Sequence, residues 1–189
     1  MGYATNAGTF LIETLVGLLL LVVLLRLIFQ IVRADFRNPV SQFVVKVTNP
    51  MLMPLRRVIP SMGSIDMASI ILLLLIQYAE LFLITLLNGA PFLPLAMFVL
   101  GIAKILGLII TVLTFSILIQ VVLSWVSPGT HNPMISLLYS INEPVLGRAR
   151  RIIPPIQGFD LSPIVAMILL TLLSMLIVAP ISDFAMTLG

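Results

Sequence analysis

Residues 38–66 read NPVSQFVVKVTNPMLMPLRRVIPSMGSID, and residues 132–160 read NPMISLLYSINEPVLGRARRIIPPIQGFD. Laid over each other at an offset of 94 residues (132 minus 38), the two stretches agree without a gap. Asn38-Pro39 falls on Asn132-Pro133, Pro50 on Pro144 and Leu52 on Leu146. Arg56-Arg57 falls on Arg150-Arg151, Ile59-Pro60 on Ile153-Pro154, and Asp66 on Asp160. Prolines, paired arginines and an aspartate do not share one register by chance, so the chain is a tandem duplication.

Each stretch lies between apolar runs long enough to cross about 30 Å of hydrocarbon, which takes roughly 20 residues at 1.5 Å each. The expected spans run from about Phe10 to Val32, from Met67 to Leu87, within Phe92–Val126 and from Leu161 to Ser182. Each copy therefore reads span, connector, span, with copy 1 over residues 1–94 and copy 2 over 95–189. An even number of spans returns the chain to its starting side, so the copies are parallel, related by a pseudo-two-fold axis along the membrane normal. The expected fold is an all-α membrane protein of four transmembrane helices, arranged as two parallel repeats of span, amphipathic helix and span. No Lys or Arg precedes Arg26, so the first run lacks the basic region of a cleaved signal peptide.

Composition agrees. The 189 residues are 60% hydrophobic and 9% charged, against about 25% charged in soluble domains, and the mean hydropathy is +1.23. A soluble enzyme, a basic nucleic-acid-binding domain and a disordered chain are excluded. There is no Cys and one His, so neither a thiolate nor a His-rich metal site is expected. No phosphate loop, zinc motif or Ser-His-Asp set is present, so neither catalysis nor a cofactor is expected. His131, beside Asn132, reads as a turn residue.

Eight of the ten Lys/Arg lie in the two connectors: Arg33, Arg37, Lys46, Arg56 and Arg57 in the first, and Arg148, Arg150 and Arg151 in the second. The turn 88–94 and both tails hold none. The positive-inside rule then places both connectors in the cytoplasm and both termini outside, periplasmic in a bacterial inner membrane.

Within each connector, Asn38 and Asn132 are expected to cap a helix whose first position is a proline. Val40, Phe43, Val44 and Val47 follow at helical spacing, as do Met134, Leu137, Leu138 and Ile141. Ser41, Gln42 and Lys46, and Ser136 and Ser140, fall on the other face. This predicts a short interfacial amphipathic helix, ended by Pro50 and by Pro144. The apolar stripe can meet lipid, the protein's own spans, or both.

A proline-bounded basic turn then follows, carrying Arg56-Arg57 and Arg150-Arg151. These arginines can clamp anionic lipid headgroups, bind an acidic partner surface, or only fix topology. Asp66 and Asp160 each stand where the next span begins, as N-caps or as salt-bridge partners of the arginines, and Ser162 is a rival cap in copy 2. Inside the spans, Glu80 and Lys104 flank the turn 88–94 and read as an ion pair between antiparallel helices, or as a step in an ion path. Arg26 is expected to snorkel toward the connector side.

The signature Asn-Pro, then Pro, Arg-Arg-x-Ile-Pro and Asp resembles the YggT family, also called YlmG, of small bacterial and plastid membrane proteins. Asp35–Asp66 looks most like the proteobacterial members, and Ser124-Trp125-Val126 through Asp160-Leu161-Ser162-Pro163 also fits. Gln157-Gly158 stands where the family often has Gly-Gly. The resemblance implies a duplicated inner-membrane protein without known catalysis, linked in bacteria to tolerance of osmotic shock. Plastid members are linked to nucleoid distribution and to assembly of a haem-bearing cytochrome complex. The expected function is an assembly or scaffold role by binding, with a small channel or transport subunit as the alternative. Expected partners are anionic lipids and a membrane complex or a second copy, without direct contact to nucleic acid.

Overall fold

The computed structural model describes residues 2–61, 65–126, 132–154 and 160–188, and the regular elements found there are helices. They are α1 (Tyr3–Ile31), α2 (Pro39–Val58), α3 (Met67–Asn88), α4 (Pro94–Val126), α5 (Pro133–Ile152) and α6 (Ser162–Thr187). Four of them, α1, α3, α4 and α6, are long and apolar enough to cross a membrane. The chain is an all-α, multi-pass membrane protein built from a repeat. Helix α5 starts and ends 94 residues after α2 (133 minus 39, 152 minus 58). His131 and Gln157-Gly158 lie outside the described residues.

The connector helices are longer than the sequence suggests. Pro50 and Pro144 do not end them: α2 runs on through Pro50 and Pro54 to Val58, and α5 through Pro144 to Ile152. A proline forfeits one backbone bond and crowds the turn before it, at about 3 kcal/mol in an isolated helix. Tertiary packing offsets that cost here, as it supplies most helix stability in proteins. Leu52 and Leu146, two residues past the aligned prolines, are both fully buried. As a result the arginine pairs stand in the last turn of a helix, not in a loop, where they favour its negative end.

The faces also differ from the expected ones. In α2 the buried side is Ser41, Val44, Thr48 and Leu52. Ser41 therefore faces inward and not outward. Phe43, Val47 and Met51 stay exposed about a quarter-turn away, and Gln42, Lys46 and Arg57 occupy a third side. The expected single stripe of Val40, Phe43, Val44 and Val47 is thus split, with Val40 half-buried. In α5 the corresponding Leu137, Leu138 and Ile141 are buried, and only Met134 is exposed.

Most of the core lies in copy 1. Leu20, Val23, Leu24 and Leu27 of α1 cluster with Val44 and Leu52 of α2, Leu72 and Leu73 of α3, and Leu137 and Ile141 of α5. A smaller cluster joins Ile117, Leu146, Ala149, Ala166 and Leu170 in copy 2. Between the copies, α3 ends at Gly89, whose φ of 61° suits a residue without Cβ. Its N–H and that of Ala90 bond back to Leu86 and Thr85, and Phe82 meets Phe92 edge to face at 5.6 Å. Midway along α6 the backbone widens into a π-turn over Ser174–Val178, just before Pro180, which has no N–H to donate.

Candidate functional site: the connector face

Asn38 and Asn132 begin the connector helices. Each accepts with its side-chain oxygen from the N–H two residues on, Val40 and Met134, both at 2.9 Å. Asn38 does more: its Nδ2 donates to the Pro133 carbonyl at 2.6 Å, tying the start of α2 to the start of α5. Only Asn38 of the two is buried.

Below each connector helix a buried polar contact ties it to the first span of its own copy. Arg26 does not snorkel; it is buried and its Nη1 donates to Thr48 Oγ1 at 3.0 Å and to the Val45 carbonyl at 3.3 Å. Ninety-four residues on, Asn142 Nδ2 donates to Gln120 Oε1 at 2.7 Å, and Ser116 Oγ donates to Asn142 Oδ1. The same two positions hold a charged contact in copy 1 and a neutral one in copy 2. Thr48, Asn142 and Gln120 escaped sequence reasoning. Their signal was a repeat register in which both partners change type together.

The arginine pairs split. Arg56 donates through Nε and Nη2 to Asp66 Oδ2, which also accepts from Ser69 Oγ at 2.7 Å. Asp66 stands at the N-cap position of α3, yet its side chain caps nothing; the nearby guanidinium is the stronger donor. Burial pushes the Asp66 carboxyl up, but Arg56 and Ser69 outweigh that and hold it below its ordinary value. Arg150 donates through Nε to Asp160 Oδ2 at 3.0 Å and through Nη1 to both oxygens of Glu143, at 3.1 and 3.0 Å. Burial lowers the Arg150 pKa, and the two carboxylates more than reverse that. Asp160 also accepts the Ser162 N–H at 2.9 Å, so it serves helix end and arginine together. Ser162 is the first helical residue and not a cap. Burial raises the Asp160 carboxyl, and Ser162 and Arg150 bring it below its ordinary value. Glu143 has no acidic counterpart in copy 1, where Asn49 stands, so the repeat pattern did not point to it.

The expected quartet of outward guanidiniums is therefore not what the fold presents. Arg56 and Arg150 are engaged by carboxylates. Arg57 and Arg151 are exposed, joined by Arg148, whose Nη1 reaches the Pro144 carbonyl at 3.0 Å.

Within the membrane, Lys104 Nζ donates to Glu80 Oε1 at 3.3 Å, and Gln77 Nε2 donates to Glu80 Oε2 at 2.6 Å. Glu80 is buried and the Lys104 side chain about two-fifths exposed. The contact joins α3 to α4, hence copy 1 to copy 2. Ser174 and Phe10 hold the equivalent positions, so it belongs to the junction and not to the repeat.

A sequence profile of the CCB3/YggT family matches residues 5–87 and again 99–181, the second match displaced by 94 residues (99 minus 5), as the internal repeat is. An uncharacterised protein of Pseudomonas aeruginosa is 45% identical over 176 residues, covering 92% of this chain and 89% of its own. The uncharacterised protein YggT of Escherichia coli K12 is 38% identical over 170 residues, covering 90% and 88%. The chloroplast protein CCB3 of Arabidopsis thaliana, named for cofactor assembly of complex C, is 35% identical over 78 residues, covering 40% of this chain and 44% of its own. No solved structure matches the chain. With the profile aligned to both copies, the chain belongs to the CCB3/YggT family.

Proposed function

We propose that the protein is a non-enzymatic assembly or scaffold factor of the bacterial inner membrane that contributes to osmotic and envelope stress tolerance. The observation that carries this reading is the fixed connector face. Each of α2 and α5 is tied to a span by a buried polar contact and to the next span by an arginine–carboxylate pair. Arg57, Arg148 and Arg151 are left outward near the ends of α2 and α5, and Phe43 and Val47 are exposed earlier on α2. A pre-ordered basic and apolar face suits anionic headgroups or the acidic surface of a membrane complex. The name of the Arabidopsis relative, a cofactor assembly protein, favours an assembly role.

The test replaces Arg57, Arg148 and Arg151 with Lys, which keeps charge and topology but removes bidentate binding. Survival of an osmotic challenge is expected to fall while membrane levels stay normal. Unchanged survival at normal levels would reduce these arginines to topology signals. The Glu80–Lys104–Gln77 contact favours a second reading, a small channel or transport subunit. Ion or solute flux through purified protein in liposomes would favour that reading over the scaffold.

Orientation is part of the proposal. The eight connector Lys/Arg, against none in the turn 88–94 or the tails, support cytoplasmic connectors and periplasmic termini. A reporter active only in the periplasm is expected to work when fused after Gly189 and to be silent when fused at Pro60. The reverse pattern would turn the protein over.

A further inference from the structure

Between α2 and the connector end of α1 the structure leaves a pocket of about 460 Å³. Gln42, Val45, Lys46 and Asn49 line it from α2, Phe36 from the turn before that helix, and Arg26 from α1. The four α2 residues recur at i, i+3, i+4 and i+7, so they share one face of the helix. Two of the lining residues are cations and none is an acid. Lys46 and Phe36 are exposed, whereas Arg26 is 6% exposed.

The protein does not balance the positive charge of this pocket. Arg26 Nη1 is held by Thr48 Oγ1 and the Val45 carbonyl, both neutral, and its Nε and Nη2 have no acceptor among the described residues. Asp66 acts on Arg26 across space, but Arg56 acts against it and takes its Oδ2. Asp35, next to Phe36, accepts the Arg37 N–H at 2.8 Å. Among the described residues no carboxylate lies within ion-pair distance of Arg26 or Lys46. A guanidinium buried without a countercharge is costly. The counterparts in copy 2 carry no positive charge: Gln120 stands for Arg26, Ser140 for Lys46 and Glu143 for Asn49. Each is engaged within the fold, Gln120 with Asn142, Ser140 with the Ser136 carbonyl and Glu143 with Arg150. Packing a connector helix on a span therefore does not itself call for cations at these positions.

Depth points to the missing anion. Arg26 lies five residues (31 minus 26), or about 7 Å, from the end of α1. The headgroup layer adds about 5–8 Å to each side of the hydrocarbon core, so Arg26 stands where lipid phosphates meet their chains. Phe36 and Val45 give the pocket an apolar wall suited to that boundary. We propose that this pocket binds the phosphate of one anionic phospholipid, with Arg26 as its buried contact and Lys46 as its exposed one. Two cations facing one phosphodiester leave a positive charge, which repels the ammonium of a zwitterionic head and tolerates a head without one. The proposal does not rest on the scaffold reading, which concerns Arg57, Arg148 and Arg151 and is tested by survival, not by lipid binding.

The purified full-length protein, stripped of lipid in mild detergent, is titrated with phosphatidylglycerol or phosphatidylcholine, and bound lipids are counted by native mass spectrometry. One phosphatidylglycerol per chain is expected to bind roughly 30-fold more tightly than phosphatidylcholine, from about fivefold for each cation. Lys46→Gln is the decisive variant, because Lys46 is exposed, whereas Arg26 also holds α2 to α1. It should lose about fivefold of the preference while unfolding in detergent is unchanged. Arg37→Gln makes the same charge change at an exposed residue outside the pocket and should keep the preference. Equal loss in the two variants would overturn the proposal, since binding would then follow net charge alone. Equal binding of the two lipids by the wild type would overturn it as well. So would saturable binding of inorganic phosphate or of a tetraglutamate peptide without any preference between the lipids, which would put a free anion or an acidic partner in the pocket.

Discussion

Arg56→Ala is expected to destabilise the protein in detergent by about 2–3 kcal/mol, and Arg150→Ala by under about 1 kcal/mol, although the repeat makes the two residues equivalent. The difference lies in their carboxylates. Asp66 is 1% exposed, and without Arg56 its remaining side-chain hydrogen bond among the described residues is to the Ser69 hydroxyl. Leaving a buried charge with too few partners is costlier than never burying it. Asp160 and Glu143 are more than a third exposed, so water replaces Arg150 at little cost. Unfolding of both variants in mild detergent measures the gap, and equal losses would mean that Asp66 is solvated in the folded protein. The pH dependence has a definite sign. The folded Asp66 carboxyl lies below its ordinary value, so its contribution is complete above the unfolded value of about 3.9 and is lost as pH falls through the folded one. The stability difference between wild type and Asp66→Asn should therefore be constant near neutrality and shrink below about pH 4.

That asymmetry marks how far the sequence could be read. Hydropathy and the 94-residue register led to four spans, parallel copies and two connector helices, because those features depend on composition and period alone. The caps at Asn38 and Asn132 were legible too, since cap and proline are adjacent in the chain. The helix ends were not. Pro50 and Pro144 are helix breakers by intrinsic preference, and it is the burial of Leu52 and Leu146 that carries each helix past them. Nor were the faces of α2. A 3.6-residue period separates apolar from polar positions, but it does not distinguish lipid from protein, so Ser41 and Thr48 could be placed inward only by what packs on them. Arg26 departs from expectation for a related reason. Snorkelling is the default for an arginine near a span's end, and its hydrogen bond to Thr48 is visible only once α2 lies over α1.

The pair Glu80–Lys104 supplies the second large effect. Lys104→Ala is expected to cost about 2–3 kcal/mol, because Glu80 is buried about eight residues, or some 12 Å, from the end of α3 at Asn88. Removing the second charge should restore part of that loss, and the choice of residue follows from Gln77. Gln77 Nε2 donates to Glu80 Oε2, so Glu80→Ala would exchange an unpaired charge for an unpaired amide. Glu80→Gln keeps an oxygen for Gln77 and removes the charge. The double variant Lys104→Ala/Glu80→Gln should therefore be more stable than Lys104→Ala alone, with a coupling of about 1–2 kcal/mol. Strictly additive losses would mean that the two side chains do not interact in the membrane. The pair has no counterpart elsewhere in the repeat, and it joins the last span of copy 1 to the first span of copy 2. Limited proteolysis of Lys104→Ala should accordingly show cleavage rising first in the turn at Gly89–Leu93, before either copy opens within itself.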